Sequence, residues 1–179
     1  MRAAALALAA GAFAPAAQAR VLLKQDEALR LAFPGAAPER RTAYLSEEQR
    51  KAAERLANAR IESRVWTYYV GASSSGARSY AYFDTHTVRT MPETFMAVVD
   101  ESGRLRFLEL LAFHEPDDYL PPARWLRQLD GRALDGSLFV RRAVRNITGA
   151  SLTSQALTEG ARRVLAVHRM LHAAPRSDP

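Results

Sequence analysis

Two strand-like segments flank the tripeptide Glu101-Ser102-Gly103, and this hairpin pattern constrains the fold more than any other feature of the sequence. Phe95 to Asp100 reads FMAVVD and Arg104 to Leu111 reads RLRFLELL, so apolar strand formers enter and leave a short turn. In the second segment, both sets of alternate residues, one for each face of a strand, contain apolar residues. This predicts a strand near the centre of a sheet. The sheet is therefore expected to be antiparallel at this point.

A second hairpin is predicted upstream. Val65 to Val70 (VWTYYV) and Ser79 to Phe83 (SYAYF) are aromatic and β-branched, and a loop rich in glycine and serine joins them. That loop has no lysine and no helix after it, so it is interpreted as a hairpin loop and not as a phosphate loop.

Helical periodicity surrounds the two hairpins. Helices are predicted over Gln25–Phe33, Ser46–Ala59, Pro121–Leu129 and Gln155–Leu171, with Arg40–Tyr44 as a connector. The last helix is expected to bury a stripe of apolar residues with His168, and to place its arginines elsewhere; these are Arg162, Arg163 and Arg169. Together the elements predict a single α+β domain, a mostly antiparallel sheet with two hairpins packed by helices.

The first nineteen residues differ from the rest. Arg2, a short apolar run and the small residues Ala17 and Ala19 predict a secretory signal peptide over 1–19, with the mature chain beginning at Arg20. The remaining chain is divided into an N-terminal helical segment (20–64), a main domain (65–172) and a flexible tail (173–179).

The composition limits the compartment and the partners. The chain has no cysteine, which excludes disulfides, zinc thiolates and iron–sulfur clusters, and an alanine- and arginine-rich composition favours the bacterial periplasm. A formal charge of +6 suits an anionic ligand or peripheral association with an acidic membrane surface. No nucleic-acid partner is expected, because no basic run is interleaved with aromatic residues.

A run of small and hydroxylated residues precedes the last helix: Thr148, Gly149, Ala150, Ser151, Leu152, Thr153 and Ser154. Two interpretations stay open on physical grounds. Thr153 or Ser154 serves only as the cap of a helix that begins near Gln155. Alternatively, the partial positive charge at the helix start holds an anion beside these hydroxyls.

The same run resembles a motif of the FMN-binding domain family, which includes the flavin-carrying subunits of the sodium-pumping quinone reductase and of the Rnf electron-transfer complex. The family motif is D-x-x-[ST]-G-A-[ST], matched here by Thr148-Gly149-Ala150-Ser151. The segments YFDTHTVRTMPETFMAVVDESGRL and LLAFHEPDDYLPPARWL resemble a branch of small exported members. The resemblance covers roughly residues 65 to 170.

The resemblance implies that a flavin transferase joins FMN by a phosphoester to Ser151, with the neighbouring motif residues around the cofactor. Two positions depart from the family pattern. Arg145 stands where the motif has aspartate, a residue that contributes to recognition by the transferase, and the acceptor is serine where threonine is commoner. An arginine at this position is expected to pair with the flavin phosphate.

Two further segments supply candidate site residues. His86 or Arg89 is expected to face the flavin phosphate or the N1–O2 edge of the ring, or else to belong to a polar strand end. Glu115, Tyr119 and Trp125 are expected to form a wall for the isoalloxazine ring, or else a turn that packs into the core. The histidines show no metal-ligand spacing, so no metal site is predicted.

The function predicted from these observations is that of an exported, periplasmic carrier of one FMN. It would exchange electrons with a membrane or periplasmic redox partner and has no predicted catalytic residues. The alternative, suggested by Arg145, is a non-redox binding or assembly module that has lost flavin loading. A reductase with its own small substrate is a third possibility.

Overall fold

Six antiparallel strands form one sheet in this computed structural model, which describes residues 20–172. They are β1 (Arg20–Val21), β2 (Glu39–Tyr44), β3 (Val65–Ala72), β4 (Arg78–Thr87), β5 (Pro92–Asp100) and β6 (Leu105–Phe113). Their spatial order is β1-β6-β5-β4-β3-β2. Both predicted hairpins are confirmed as β3-β4 and β5-β6. The predicted signal peptide and the tail from residue 173 lie outside the described residues.

Four α-helices and two short 3₁₀ turns accompany the sheet in the described part of the chain. The helices are α1 (Gln25–Ala32), α2 (Glu47–Ala57), α3 (Ala123–Leu126) and α4 (Ser151–His172), and the turns are Asp117–Tyr119 and Arg127–Leu129. A capping box precedes α2, because the Ser46 hydroxyl accepts from the Gln49 N–H at 3.2 Å and the Gln49 side chain accepts from the Ser46 N–H at 2.8 Å. The predicted α+β class is confirmed.

Strand β2 corrects the prediction of a connector over Arg40–Tyr44. It pairs along its whole length with β3, from Glu39 opposite Val70 to Tyr44 opposite Val65. Its side chains are mostly exposed, so the segment has no buried alternation from which a strand could be predicted. Because β1 and β2 both join the sheet, residues 20–64 belong to the same domain as the rest and are not only helical.

Strand β6 is not central, although both of its faces are apolar. The central strands are β5 and β4, and within residues 20–172 the other neighbour of β6 is the two-residue β1. Helices cover both faces of the sheet, and ordinary alternation turns Phe107 and Leu111 to the face opposite Leu108 and Leu110. The two register shifts against β5 bring Leu105 and Phe113 to the same face as Leu108 and Leu110. The mixed pattern therefore reflects burial from both sides.

The sheet separates two apolar cores. Alternate residues of β5 point to opposite faces, with Phe95 on the side of α2 and α4 and Met96 on the side of α1. Helix α4 approaches the sheet closely at Gly160, where an added Cβ would lie 2.6 Å from the ring of the fully buried Phe95. Glycine at this position lets the helix cross β4 and β5 at short range.

Helix α4 is more deeply buried than its pattern predicts. His168 is 4% exposed, as expected for a core histidine, but Arg162 is also 4% exposed. The prediction that Arg162 lies away from the core is wrong. Its guanidinium binds main-chain carbonyls, including Leu56 O at 3.0 Å and Ala57 O at 2.6 Å at the end of α2. This arginine therefore joins two helices from within the core.

Candidate functional site

The hydroxyl-rich run lies at the start of α4, but the helix begins at Ser151 and not near Gln155. The prediction that Thr153 or Ser154 caps the helix is therefore wrong, because both lie in its first turn and are buried. The Ser154 hydroxyl accepts from the Ile147 N–H at 3.0 Å and donates to the Ala150 carbonyl at 3.1 Å. It fastens the preceding turn to the helix.

That turn contains the glycine of the motif. Gly149 has φ +84°, a left-handed conformation in which a side chain would be strained. The turn closes through a hydrogen bond from the Ala150 N–H to the Ile147 carbonyl at 3.1 Å. Thr148 and Gly149 remain exposed, so the approach to Ser151 is open.

A cavity of about 240 Å³ brings the start of α4 together with two residues predicted from a different part of the chain. It is lined by Arg89, Tyr119, Gly149, Ala150, Ser151, Leu152 and Thr153. The Arg89 guanidinium carbon lies 5.2 Å from the centre of the Tyr119 ring, a cation–π distance. The cavity thus combines a cation, an aromatic face and the end of a helix.

Free N–H groups also face this end of α4. The first helical hydrogen bond runs from the Ser154 N–H to Ala150 O at 3.1 Å. The N–H groups of Ser151, Leu152 and Thr153 therefore have no acceptor within the helix. With the helix dipole, they favour a negative charge beside Ser151.

Glu115 holds the loop that carries Arg89 to this cavity. Its Oε1 accepts from the backbone N–H groups of Arg89 (3.0 Å), Thr90 (3.0 Å) and Met91 (3.2 Å). Burial opposes ionisation of the carboxyl, but these three donors hold the pKa of Glu115 below its usual value. The carboxylate therefore fixes the loop that presents Arg89, and its role here is structural.

His86 lies outside the Ser151 cavity. It lines a separate cavity of about 530 Å³ between the end of β4 and α4. Arg163 Nη2 lies 3.2 Å from His86 Nδ1, and because a guanidinium nitrogen can only donate, Nδ1 is the acceptor. The ring proton is therefore on Nε2, which donates to Glu93 Oε1 at 2.7 Å. Burial raises the pKa of Glu93. A position beside the phosphate of a group on Ser151 is not supported for His86.

Trp125 and Arg145 also do not line the Ser151 cavity. Trp125 is 4% exposed, belongs to the main core and donates from Nε1 to the Arg145 carbonyl at 2.6 Å. Arg145 is exposed, and its N–H donates to the Gln128 side chain at 2.9 Å. Trp125 is therefore a core residue, which is the alternative predicted for it. The structure shows no contact between the Arg145 side chain and Ser151.

Asn146 is a site residue that the sequence analysis missed. Its Nδ2 donates to Ser151 Oγ at 2.7 Å, while its Oδ1 is buried and has no partner within residues 20–172. The two residues are five positions apart and are joined by the tight turn. No periodicity relates them, so the sequence gives no signal for this contact.

Comparisons with protein families, with curated proteins and with solved structures found no match to this chain. None of the helices within residues 20–172 combines the length and apolar character needed to cross a bilayer. Over the same residues, no group of three or more histidine, aspartate or glutamate side chains is arranged to hold a metal ion.

Proposed function

We propose that this protein carries one FMN, joined by a phosphoester to Ser151, and acts as an electron carrier. The observation that supports this most directly is the cavity in which Ser151, Arg89, Tyr119 and the start of α4 meet. When bound, FMN supplies the electron chemistry, and the protein supplies its position and surroundings. The periplasm, a flavin transferase and a membrane or periplasmic redox partner are parts of the same proposal.

The residues present fit the phosphate end of the group. A phosphodiester on Ser151 keeps one negative charge, which would lie beside the free N–H groups of the first turn of α4 and near Arg89. Such a charge at a helix start is stabilised by roughly 0.3–1 kcal/mol. Arg145, whose side chain is exposed, is not needed for this interaction.

The size of the cavity suits a carrier better than a substrate-converting enzyme. Its volume of about 240 Å³ is below the range of about 300–1,000 Å³ that encloses most small-molecule ligands. A group attached here would keep part of its surface accessible to a redox partner. This favours the carrier over a reductase with an enclosed substrate.

Attachment is tested by the intact mass of protein made together with an active flavin transferase. We expect the added mass of one FMN less one water, its complete loss in Ser151→Ala and its retention in Ser151→Thr, because only the hydroxyl forms the ester. Arg145→Asp should raise the loaded fraction if recognition by the transferase limits loading. Flavin that stays bound to Ser151→Ala in denaturing electrophoresis would place the linkage elsewhere.

The alternative function is a non-redox binding or assembly module, and Arg145 at the aspartate position of the family motif favours it. Protein that stays colourless with an active transferase, in both the unsubstituted and the Arg145→Asp forms, would support this alternative and exclude the carrier.

Tyr119 provides a separate prediction about the ring. Because it lines the Ser151 cavity, Tyr119→Ala is expected to shift the absorption maximum and the reduction potential of the bound flavin. Tyr44→Ala is the matched control, since Tyr44 is 74% exposed on the edge strand β2. Identical spectra and potentials for both variants would show that Tyr119 does not contact the ring.

A further inference from the structure

We propose that Asn146 is the positioning residue of the Ser151 hydroxyl, and that its amide N–H holds Oγ in the orientation that accepts the flavin phosphate. This inference rests on the proposed function. It is carried by the hydrogen bond of 2.7 Å from Asn146 Nδ2 to Ser151 Oγ and by the burial of the other amide atom, Oδ1.

The burial of Oδ1 explains why the amide can hold a fixed orientation. A serine side chain on the first residue of a helix has several staggered rotamers, and an exposed amide could follow it among them. Asn146 is half-buried, with Oδ1 enclosed and Nδ2 directed at Ser151. Oδ1 has no hydrogen-bond partner within residues 20–172, so it is the packing around this enclosed atom that restricts the amide, whose N–H in turn holds the hydroxyl oxygen.

The position of Asn146 in the turn also separates its role from that of Arg145. Arg145 occupies the aspartate position of the family motif, but its side chain is exposed, and its hydrogen bonds within residues 20–172 are made by its main chain. The next residue along the chain is the one that contacts the acceptor hydroxyl. Positioning of Ser151 is thus assigned to Asn146, while Arg145 is left to affect recognition by the transferase.

The chemical step leaves the amide unchanged. In ester formation from a flavin dinucleotide, a bond forms between Ser151 Oγ and the FMN phosphorus, and the bond between that phosphorus and the nucleotide leaving group breaks. The hydroxyl proton goes to the leaving group or to water, and nothing is oxidised or reduced. Asn146 donates to one lone pair of Oγ and leaves the other for phosphorus; it is not a base, because an amide N–H cannot accept the proton.

The test compares the initial rate of flavin loading, followed by intact mass, in the unsubstituted protein and in Asn146→Ala and Asn146→Asp. Loss of one hydrogen bond should slow loading of Asn146→Ala by roughly three- to tenfold. Asn146→Asp should load more slowly still at neutral pH, because its carboxylate is not a donor and repels the phosphate. As the pH falls and this carboxyl is protonated, its rate relative to the unsubstituted protein at the same pH should recover.

A second measurement uses the unloaded protein. The side-chain amide resonances of Asn146 should shift in Ser151→Ala and should stay close to their original position in Ser151→Thr, which keeps a hydroxyl. Thermal unfolding of each variant accompanies the rates, so that a loss of loading through unfolding is recognised by its lower midpoint.

The outcomes separate this inference from the proposed function. Equal loading rates in the unsubstituted protein and in a folded Asn146→Ala, or no recovery of Asn146→Asp at low pH, would overturn the positioning role and leave Ser151 as the attachment site. No mass addition to the unsubstituted protein would overturn both.

Discussion

Replacing Arg162 with alanine is expected to lower the free energy of unfolding by about 3 kcal/mol or more, because it leaves buried carbonyls without donors. The side chain is 4% exposed. Nε and Nη2 donate to Ala57 O (2.6 Å) and Leu56 O (3.0 Å), and Nη1 donates to Asp135 O and Leu138 O, both at 3.0 Å. Arg162 thus provides hydrogen-bond donors to main-chain carbonyls both at the end of α2 and in the loop before α4.

The remaining contacts of Arg162 reinforce this expectation. Its guanidinium carbon lies 3.8 Å from the centre of the Phe139 ring. Burial lowers the pKa of Arg162, yet arginine stays protonated in proteins, so the carbonyls and the ring stabilise a buried charge. Arg162→Lys keeps the charge but loses the planar set of donors. Its free energy of unfolding should therefore lie between those of the unsubstituted protein and the alanine variant.

Urea unfolding measures the effect, with Arg169→Ala as the matched control. Arg169 lies on the same helix and also binds a loop carbonyl, Leu134 O at 3.2 Å, but its side chain is exposed. We expect this control to change the free energy of unfolding by no more than about 0.5 kcal/mol. Equal destabilisation by the two alanine variants would contradict the structural role assigned to Arg162.

Acidification below about pH 6.5 is expected to destabilise the fold through His168. The ring is 4% exposed, and its Nδ1 forms a hydrogen bond of 2.9 Å with the Tyr82 hydroxyl. Burial, with a smaller effect of His172, lowers the pKa of His168 from 6.5 to about 3. Between these two values the unfolded chain binds the proton more tightly than the folded chain, so stability is complete above pH 6.5 and is lost as the pH falls toward 3.

The charges around His168 determine how this loss is measured. Asp100 partly offsets the fall in the pKa of His168, while burial, with a smaller effect of Arg41, lowers the pKa of the neighbouring His172. For one such group, the free energy of unfolding falls by at most about 1.4 kcal/mol per pH unit, and by several kcal/mol between the two pKa values. Other carboxyls titrate in the same range, so the effect must be isolated by a variant.

Urea unfolding of His168→Phe and of the unsubstituted protein from about pH 8 to about pH 4 isolates this group. Near pH 8 the stabilities of the two proteins should differ only through packing and through the loss of the hydrogen bond between Tyr82 and His168. The Tyr82 hydroxyl still has His172 Nε2 as a partner at 3.2 Å in the variant. As the pH falls, the unsubstituted protein should lose stability faster, so the two curves converge or cross. Parallel curves would show that His168 takes up no proton on unfolding.

Much of the secondary structure could be predicted from the sequence, because its causes are local. Apolar strand formers on either side of Glu101-Ser102-Gly103 predict β5 and β6, and the spacing of Ser46 and Gln49 is typical of the start of a helix, here α2. The hydroxyl-rich run also predicts the start of a helix, but near Gln155, four residues after the observed start at Ser151. The N-cap preference of Thr153 and Ser154 was outweighed by their burial in the first turn.

The tertiary structure alone decided which distant residues meet. Arg89 and Tyr119 reach Ser151 because Glu115 fixes the loop after β4, and no periodicity links these segments. Arg162 is buried because the carbonyls of α2 and of the loop around residue 135 converge on it; a sequence pattern shows only a charged side chain. Local patterns determine helices, strands and caps, whereas contacts between remote segments depend on how those elements pack, which only the folded chain specifies.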